Sequence, residues 1–199
     1  MHLFCTQKFL TELRLKKTEV QEISHSDHPL DNWYAHLFFL YPRRKCAIFM
    51  DARTKFCFVA YDRNRQQLSD IRAIFCKGLG RALFDEHYPE EVIKLFNKQL
   101  ENIEIGIARD RSVLAYINQR IQELKCLSDY DSEDGRVRDE GIAGLALRRN
   151  PLSGEKYRVA VELMQDLLRN CGEVGEAEMH PAGYEHEELE RFYKTLRGH

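Results

Sequence analysis

A chain of 199 residues with 43% hydrophobic and 31% charged side chains is one domain, or one domain with an appendage, and can bury an ordinary core. No run approaches the ~18 apolar residues of a membrane span, and the start lacks the basic head, apolar block and cleavage site of a signal peptide, so a cytoplasmic protein is expected. The net charge of −2 hides an asymmetry: residues 1–127 carry 20 basic and 16 acidic side chains, residues 128–199 carry 10 and 16.

His2 to Cys5 forms a short apolar strand candidate, and Thr6 can cap a following helix with Phe9, Leu10, Leu13 and Val20 inward. The polar stretch 22–32 with Pro29 reads as a loop. The stretch from Trp33 to Asp62 then reads as three strands joined by two turns. In the first, Trp33 to Tyr41, both alternating faces are apolar, which places it well inside a sheet. Pro42 to Lys45 supplies a turn, Cys46 to Met50 the second strand, Asp51 to Lys55 another turn and Phe56 to Tyr61 the third strand.

From Leu68 the apolar period becomes helical through Ile71, Ile74, Phe75, Leu79 and Leu83. Gly78 and Gly80 inside that stripe suggest a close packing partner. Pro89 opens a second helix carrying Val92, Ile93, Phe96 and Leu100. Ile103, Ile105 and Ile107 alternate as a fourth long strand, and Asp110 or Ser112 caps a helix with Val113, Leu114, Ile117, Ile121 and Leu124 inward. Residues 128–141 are acidic and turn-rich, residues 157–168 form an amphipathic helix, and residues 187–197 can form a terminal one.

The chemistry-bearing residues are sparse. The six cysteines are isolated, with no C-x-x-C spacing, which suits reduced cysteines rather than a disulfide framework or zinc site. Asp129, Asp131, Glu133 and Glu140 fall at calcium-loop spacing, but Asp134 stands where the sharp turn needs glycine, so no metal is expected. His36 lies mid-strand on the face opposite Leu37 and reads as a partly buried, hydrogen-bonded histidine. No phosphate-binding glycine loop or nucleophile elbow is present, and no cofactor is expected.

Two places suit an anion. Cys5, Thr6 and Lys8 stand where a strand runs into a helix N-terminus, and Arg109, Arg111 and Ser112, with Asn118 further along, repeat the arrangement. A third feature is a basic patch. If the three strands run up, down and up, then Arg43, Arg44 and Lys45 in the first turn share an end with Arg63 and Arg65 after the third strand. Such a patch either meets an outside polyanion or is covered by acidic residues of the C-terminal half.

Taken together, Met1-x-x-x-Cys5-Thr6-x-Lys8, the Trp33-Tyr34-Ala35 strand start, Arg43-Arg44-Lys45-Cys46, and Arg111-Ser112-Val113-Leu114 followed by Asn118 resemble a bacterial family of unknown function over residues 1–125. The chain has Ala115 and Ile117 where members of that family tend to carry glycine and methionine. The resemblance implies one fold and no particular reaction, and it groups Cys5, Thr6, Lys8, Trp33, Arg111, Ser112 and Asn118 as one site.

The expectation is an α+β core domain over residues 1–127: a mostly antiparallel sheet of four to five strands, including a three-stranded meander, packed with helices. An acidic loop and helical C-terminal extension over residues 128–199 should dock back onto the core or onto another copy. The expected function is that of a binding or regulatory protein with an anionic partner, nucleic acid or another polyanion, rather than an enzyme. The alternatives are a small enzyme acting on a phosphorylated or nucleotide-like substrate and an interaction subunit that forms a homodimer through its C-terminal helices.

Overall fold

The computed structural model describes residues 1–16, 18, 20, 22–40, 44–61, 70–100, 102–130, 147–148 and 159–171, without the side chains of 127–130. In chain order the elements are β1 (His2–Cys5), α1 (Gln7–Glu12), β2 (Asn32–Leu40), β3 (Arg44–Asp51), β4 (Cys57–Tyr61), α2 (Ile71–Asp85), α3 (Glu90–Gln99), β5 (Glu104–Ile107), α4 (Arg111–Tyr130) and α5 (Ala160–Asn170). The fold is α+β. Expectations for residues 131–146, 149–158 and 172–199, the calcium-spaced loop and the terminal helix among them, fall outside the described residues.

The five strands form one sheet in the order β4-β3-β2-β1-β5. Strand β2 is the middle strand, as its two apolar faces require. It pairs antiparallel with β3, and β3 antiparallel with β4. The other half corrects the expectation of a mostly antiparallel sheet: β1 is parallel to both β2 and β5, so the sheet is mixed. The physical reason lies in the connections. Residues 6–31 separate β1 from β2, and residues 62–103 separate β4 from β5, far more than a hairpin uses and enough for a parallel crossover. Strand β5 is also shorter than its isoleucine alternation suggested, only four residues.

The alternation sorts side chains onto two faces. On one, Leu3, Trp33, Ala35, Leu37, Ala47, Phe49 and Phe58 pack beneath α1, α2, α3 and α5. Gly78 makes this possible for α2, because a Cβ there would sit 2.5 Å from the Phe58 ring. Gly80 has no such duty, its nearest neighbour being an Ile93 methyl at 3.8 Å. On the other face Phe4, Tyr34, Phe38, Ile48, Met50 and Cys57 pack beneath α4 through Val113, Ile117, Ile121 and Leu124.

The described residues after α4 pack onto the same sheet. Ala160, Val161, Met164 and Leu168 of α5 enter the first cluster, and the buried Tyr88 hydroxyl donates to the Val161 carbonyl at 3.1 Å. The Arg148 guanidinium lies 2.8 Å from the Glu86 carboxylate and over the Phe56 ring. Both partners of that pair are almost fully buried, so each compensates the desolvation of the other.

Candidate anion site at the carboxyl edge of the sheet

Because β1 and β5 run parallel and side by side, the segments that follow them start next to each other. Cys5 is the register partner of Ile107, and the Ala108 amide donates to the Cys5 carbonyl at 3.0 Å. From there the chain departs in opposite directions. Helix α1 packs Phe9 and Leu10 into the first face, whereas α4 packs Val113 and Ile117 into the second. Adjacent parallel strands whose connections leave to opposite faces form a switch point, the place where open sheets with parallel strands hold ligands.

The sheet has a step at this edge. The Thr6 amide donates to the Ala35 carbonyl at 3.0 Å, and β2 then continues to Leu40 with no further β1 partner. On the step sits His36, half-buried, on the same face as Tyr34 and Phe38. Its Nδ1 lies 3.1 Å from the Thr6 hydroxyl. Thr6 occupies the N-cap position of α1 but its side chain caps nothing, being committed to His36 instead. Burial first, and then the charge of Lys8, hold the His36 imidazole below its usual range, which keeps the ring neutral.

The sites expected from sequence divide at this point. Cys5 is fully buried, and burial pushes its thiol well above the ordinary cysteine range, so it is a small core side chain rather than a thiolate. Trp33 is likewise fully buried, with its indole N–H on the Leu30 carbonyl at 3.0 Å. Thr6 and Lys8 lie at the edge, as do Arg109, Arg111 and Ser112 across the β1–β5 pairing. Asn118 is exposed on α4, seven residues after Arg111 and so on the same side of the helix roughly 10 Å further along. Cap duty at α4 falls to Asp110, whose Oδ1 accepts from the Ser112 amide at 2.8 Å and the Val113 amide at 3.3 Å.

The cations at this edge are also sorted. Arg109 is ion-paired with Glu22, and Lys45 with Glu12 at 2.8 Å. The Arg44 guanidinium lies over the Tyr61 ring, 4.5 Å from its centroid, which joins the start of β3 to the end of β4. Arg43, Arg63 and Arg65 fall outside the described residues. At Lys45 the acidic partner is Glu12 of α1. Lys8 and Arg111 form no ion pair among the described residues.

His36 is partly buried and hydrogen-bonded, as its place in the strand implied, but sequence reasoning assigned it to no site. The available signal was a polar ring in a strand otherwise apolar on both faces. At the opposite, amino edge a cavity of about 330 Å³ is lined by Met1, His28, Asp31, Lys98, Gln99 and Asn102, none of them an expected site residue. Among the described residues no three His, Cys, Asp or Glu side chains gather as a metal site, and no helix is long and apolar enough to cross a membrane.

A family profile described as a domain of unknown function, DUF6933, matches residues 2–160. No curated protein matches the chain.

Proposed function

The chain belongs to the DUF6933 family, a domain of unknown function, and we propose that it acts as a binding protein whose partner brings an anionic group to the carboxyl edge of the sheet. One observation carries this reading. At an edge where Lys45 and Arg109 are ion-paired, Lys8 and Arg111 have no carboxylate partner among the described residues, on either side of the β1–β5 switch point. Thr6, His36 and Ser112 stand beside them as neutral hydrogen-bonding groups. An exposed ion pair contributes about 0–1 kcal/mol, so two unpaired cations cost the fold little and remain available to a phosphate or carboxylate. The absence of a reactive thiol at Cys5 supports binding over covalent chemistry.

Nucleic acid is the polyanion to test. Filter binding of a short oligonucleotide across a salt series should show retention that weakens steeply, with a slope of roughly one per neutralised phosphate. The double variant Lys8→Glu/Arg111→Glu should bind about tenfold or more weakly, because two attractive contacts become repulsive. Equal and negligible retention of both proteins at low salt would sink the nucleic-acid version.

The hydrogen bond between Thr6 and His36 favours a second reading, a small enzyme acting on a phosphorylated or nucleotide-like substrate. A hydroxyl on a neutral imidazole is the arrangement of an activated nucleophile. Loss of turnover in both Thr6→Val and His36→Gln, against a panel of phosphomonoesters hydrolysed by the unaltered protein, would establish it.

A further inference from the structure

The parallel pairing that builds the carboxyl edge also gathers three segments at the opposite, amino edge. His2 is the register partner of both Asn32 and Glu104, so the residues leading into β1, β2 and β5 lie side by side. Backbone bonds tie them together: the His2 amide donates to the Asp31 carbonyl at 2.7 Å, and the Glu104 amide to the Met1 carbonyl at 2.9 Å. The loop before β2 and the end of α3 thus form walls of the cavity of about 330 Å³. That volume stands at the small end of ligand sites, which run from roughly 300 to 1,000 Å³.

The polar groups on these walls are held in place yet incompletely used. Asp31 Oδ2 accepts from the Ser26 hydroxyl at 3.1 Å, and the Asn32 side chain pairs with the Ser26 amide and carbonyl, both at 2.8 Å, which fixes the loop. His28 Nδ1 lies 3.7 Å from Asp31 Oδ1, too far for a hydrogen bond, and this buried nitrogen has no other partner among the described residues. On the α3 side, Gln99 ends the helix, and its buried Oε1 has no donor among the described residues. A buried acceptor in that state costs free energy until a donor reaches it. Lys98 makes no ion pair among the described residues, so it and Asp31 line one cavity with opposite charges farther apart than the ~4 Å of an ion pair.

These groups define what fits between them. Acceptors lacking donors at Gln99 and Asp31 suit a group rich in N–H bonds, such as an ammonium. A cation lacking a carboxylate at Lys98, with the Asn102 amide lining the same cavity, suits a carboxylate. A simple anion would leave the acceptors unmet and face the Asp31 charge, and a simple cation would face Lys98. We infer that the cavity binds a small zwitterion, a free amino acid, with its ammonium on Asp31 and Gln99 and its carboxylate on Lys98 and Asn102. The site lies at the edge opposite Lys8 and Arg111 and does not depend on the anion reading there.

The test maps amide chemical shifts of the full chain as each standard amino acid is added in turn, with the N-acetyl and carboxamide derivatives of any that responds. The expected result is that at least one moves the signals of His28, Asp31, Gln99 and Asn102 and leaves residues 6–8 and 108–112 in place. Blocking either end of that amino acid should weaken its binding about tenfold or more, because each end meets a charged partner. Lys98 is exposed, so Lys98→Gln keeps the fold; it should weaken the free amino acid by a similar factor and leave the carboxamide unaffected. An N-acetyl derivative that binds as well as its parent means an anion site, and a carboxamide that does so means a cation site; either overturns the inference. Shifts confined to the carboxyl edge, or no response at the cavity to any amino acid, overturn it as well.

Discussion

The two faces of the sheet are built differently. Beneath α1, α2, α3 and α5, six aromatic rings interlock: Phe9, Trp33, Phe49, Phe58, Phe75 and Phe96. Phe49 and Phe58 stack at 4.9 Å, and Phe75 meets both edge-on. The face beneath α4 is apolar as well, but polar pairs interrupt it. His25 holds the Tyr34 hydroxyl at 2.8 Å, His36 holds Thr6, and the fully buried Arg120 pairs with Glu123. Burial and the charge of Asp110 push the Tyr34 phenol up to about 12. Apart from the Arg148–Glu86 pair over Phe56, the first face concentrates packing energy, whereas the second fixes the directions of donors and acceptors.

If that contrast is right, the largest effects on stability belong to the aromatic face. Trp33→Ala should cost about 3–5 kcal/mol, read as a lower urea midpoint with a similar slope, because a fully buried ring leaves a cavity its neighbours cannot fill. A comparable loss for Thr6→Val would blur the distinction between the faces.

Next in size is a pair of glycines two residues apart. Gly78→Ala should destabilise by about 1–3 kcal/mol, since its Cβ would meet a Phe58 ring held by Phe49 and Phe75. Gly80→Ala has room and should stabilise, by up to about 1 kcal/mol from helix propensity. Thermal melts that give both changes the same sign would contradict the packing described for α2.

Asp51 supplies a smaller, pH-dependent effect. Its Oδ1 accepts from the Arg53 and Thr54 amides and the Thr54 hydroxyl, while its buried Oδ2 has no hydrogen-bond partner among the described residues. Burial raises its pKa against these hydrogen bonds. A raised acid favours the folded state while protonated, so its contribution is intact below the unfolded value and declines as pH climbs towards the folded one. Relative to Asp51→Asn, the unaltered protein should therefore lose stability upwards from about pH 4, measured by urea midpoints at several pH values. A constant difference between the two would show that Asp51 does not titrate abnormally.

The smallest change leaves stability alone. Cys126, exposed on α4, should alkylate first in the native protein, whereas Cys57, pushed up to about 11, and Cys5 should wait for unfolding. Mass spectrometry after timed alkylation reads the order, and early labelling of Cys5 would contradict its burial.

Much of the fold was legible because its signals are local. The apolar faces of β2 announce a middle strand, and Pro89, Asp110 and the isoleucine-rich helix face of α4 mark their elements. The parallel pairing was not legible from β1 and β5 themselves, because four-residue strands carry no direction. The lengths of the connecting segments did carry it. Of the proposed site, the strand-to-helix junctions pointed to Thr6, Lys8, Arg111 and Ser112, whereas the sorting of cations depends on partners far along the chain. Glu12 stands 33 residues from Lys45 and Glu22 87 from Arg109, separations no local pattern reveals.

The central claim is that Lys8 and Arg111, on either side of the switch point, are where an anion binds. Amide chemical-shift mapping with a short oligonucleotide tests it most directly. The account predicts perturbations concentrated at residues 6–8, His36 and 108–112, fading as salt is raised. Perturbations centred on Arg44 and Lys45, or spread evenly over the exposed cations, would contradict it.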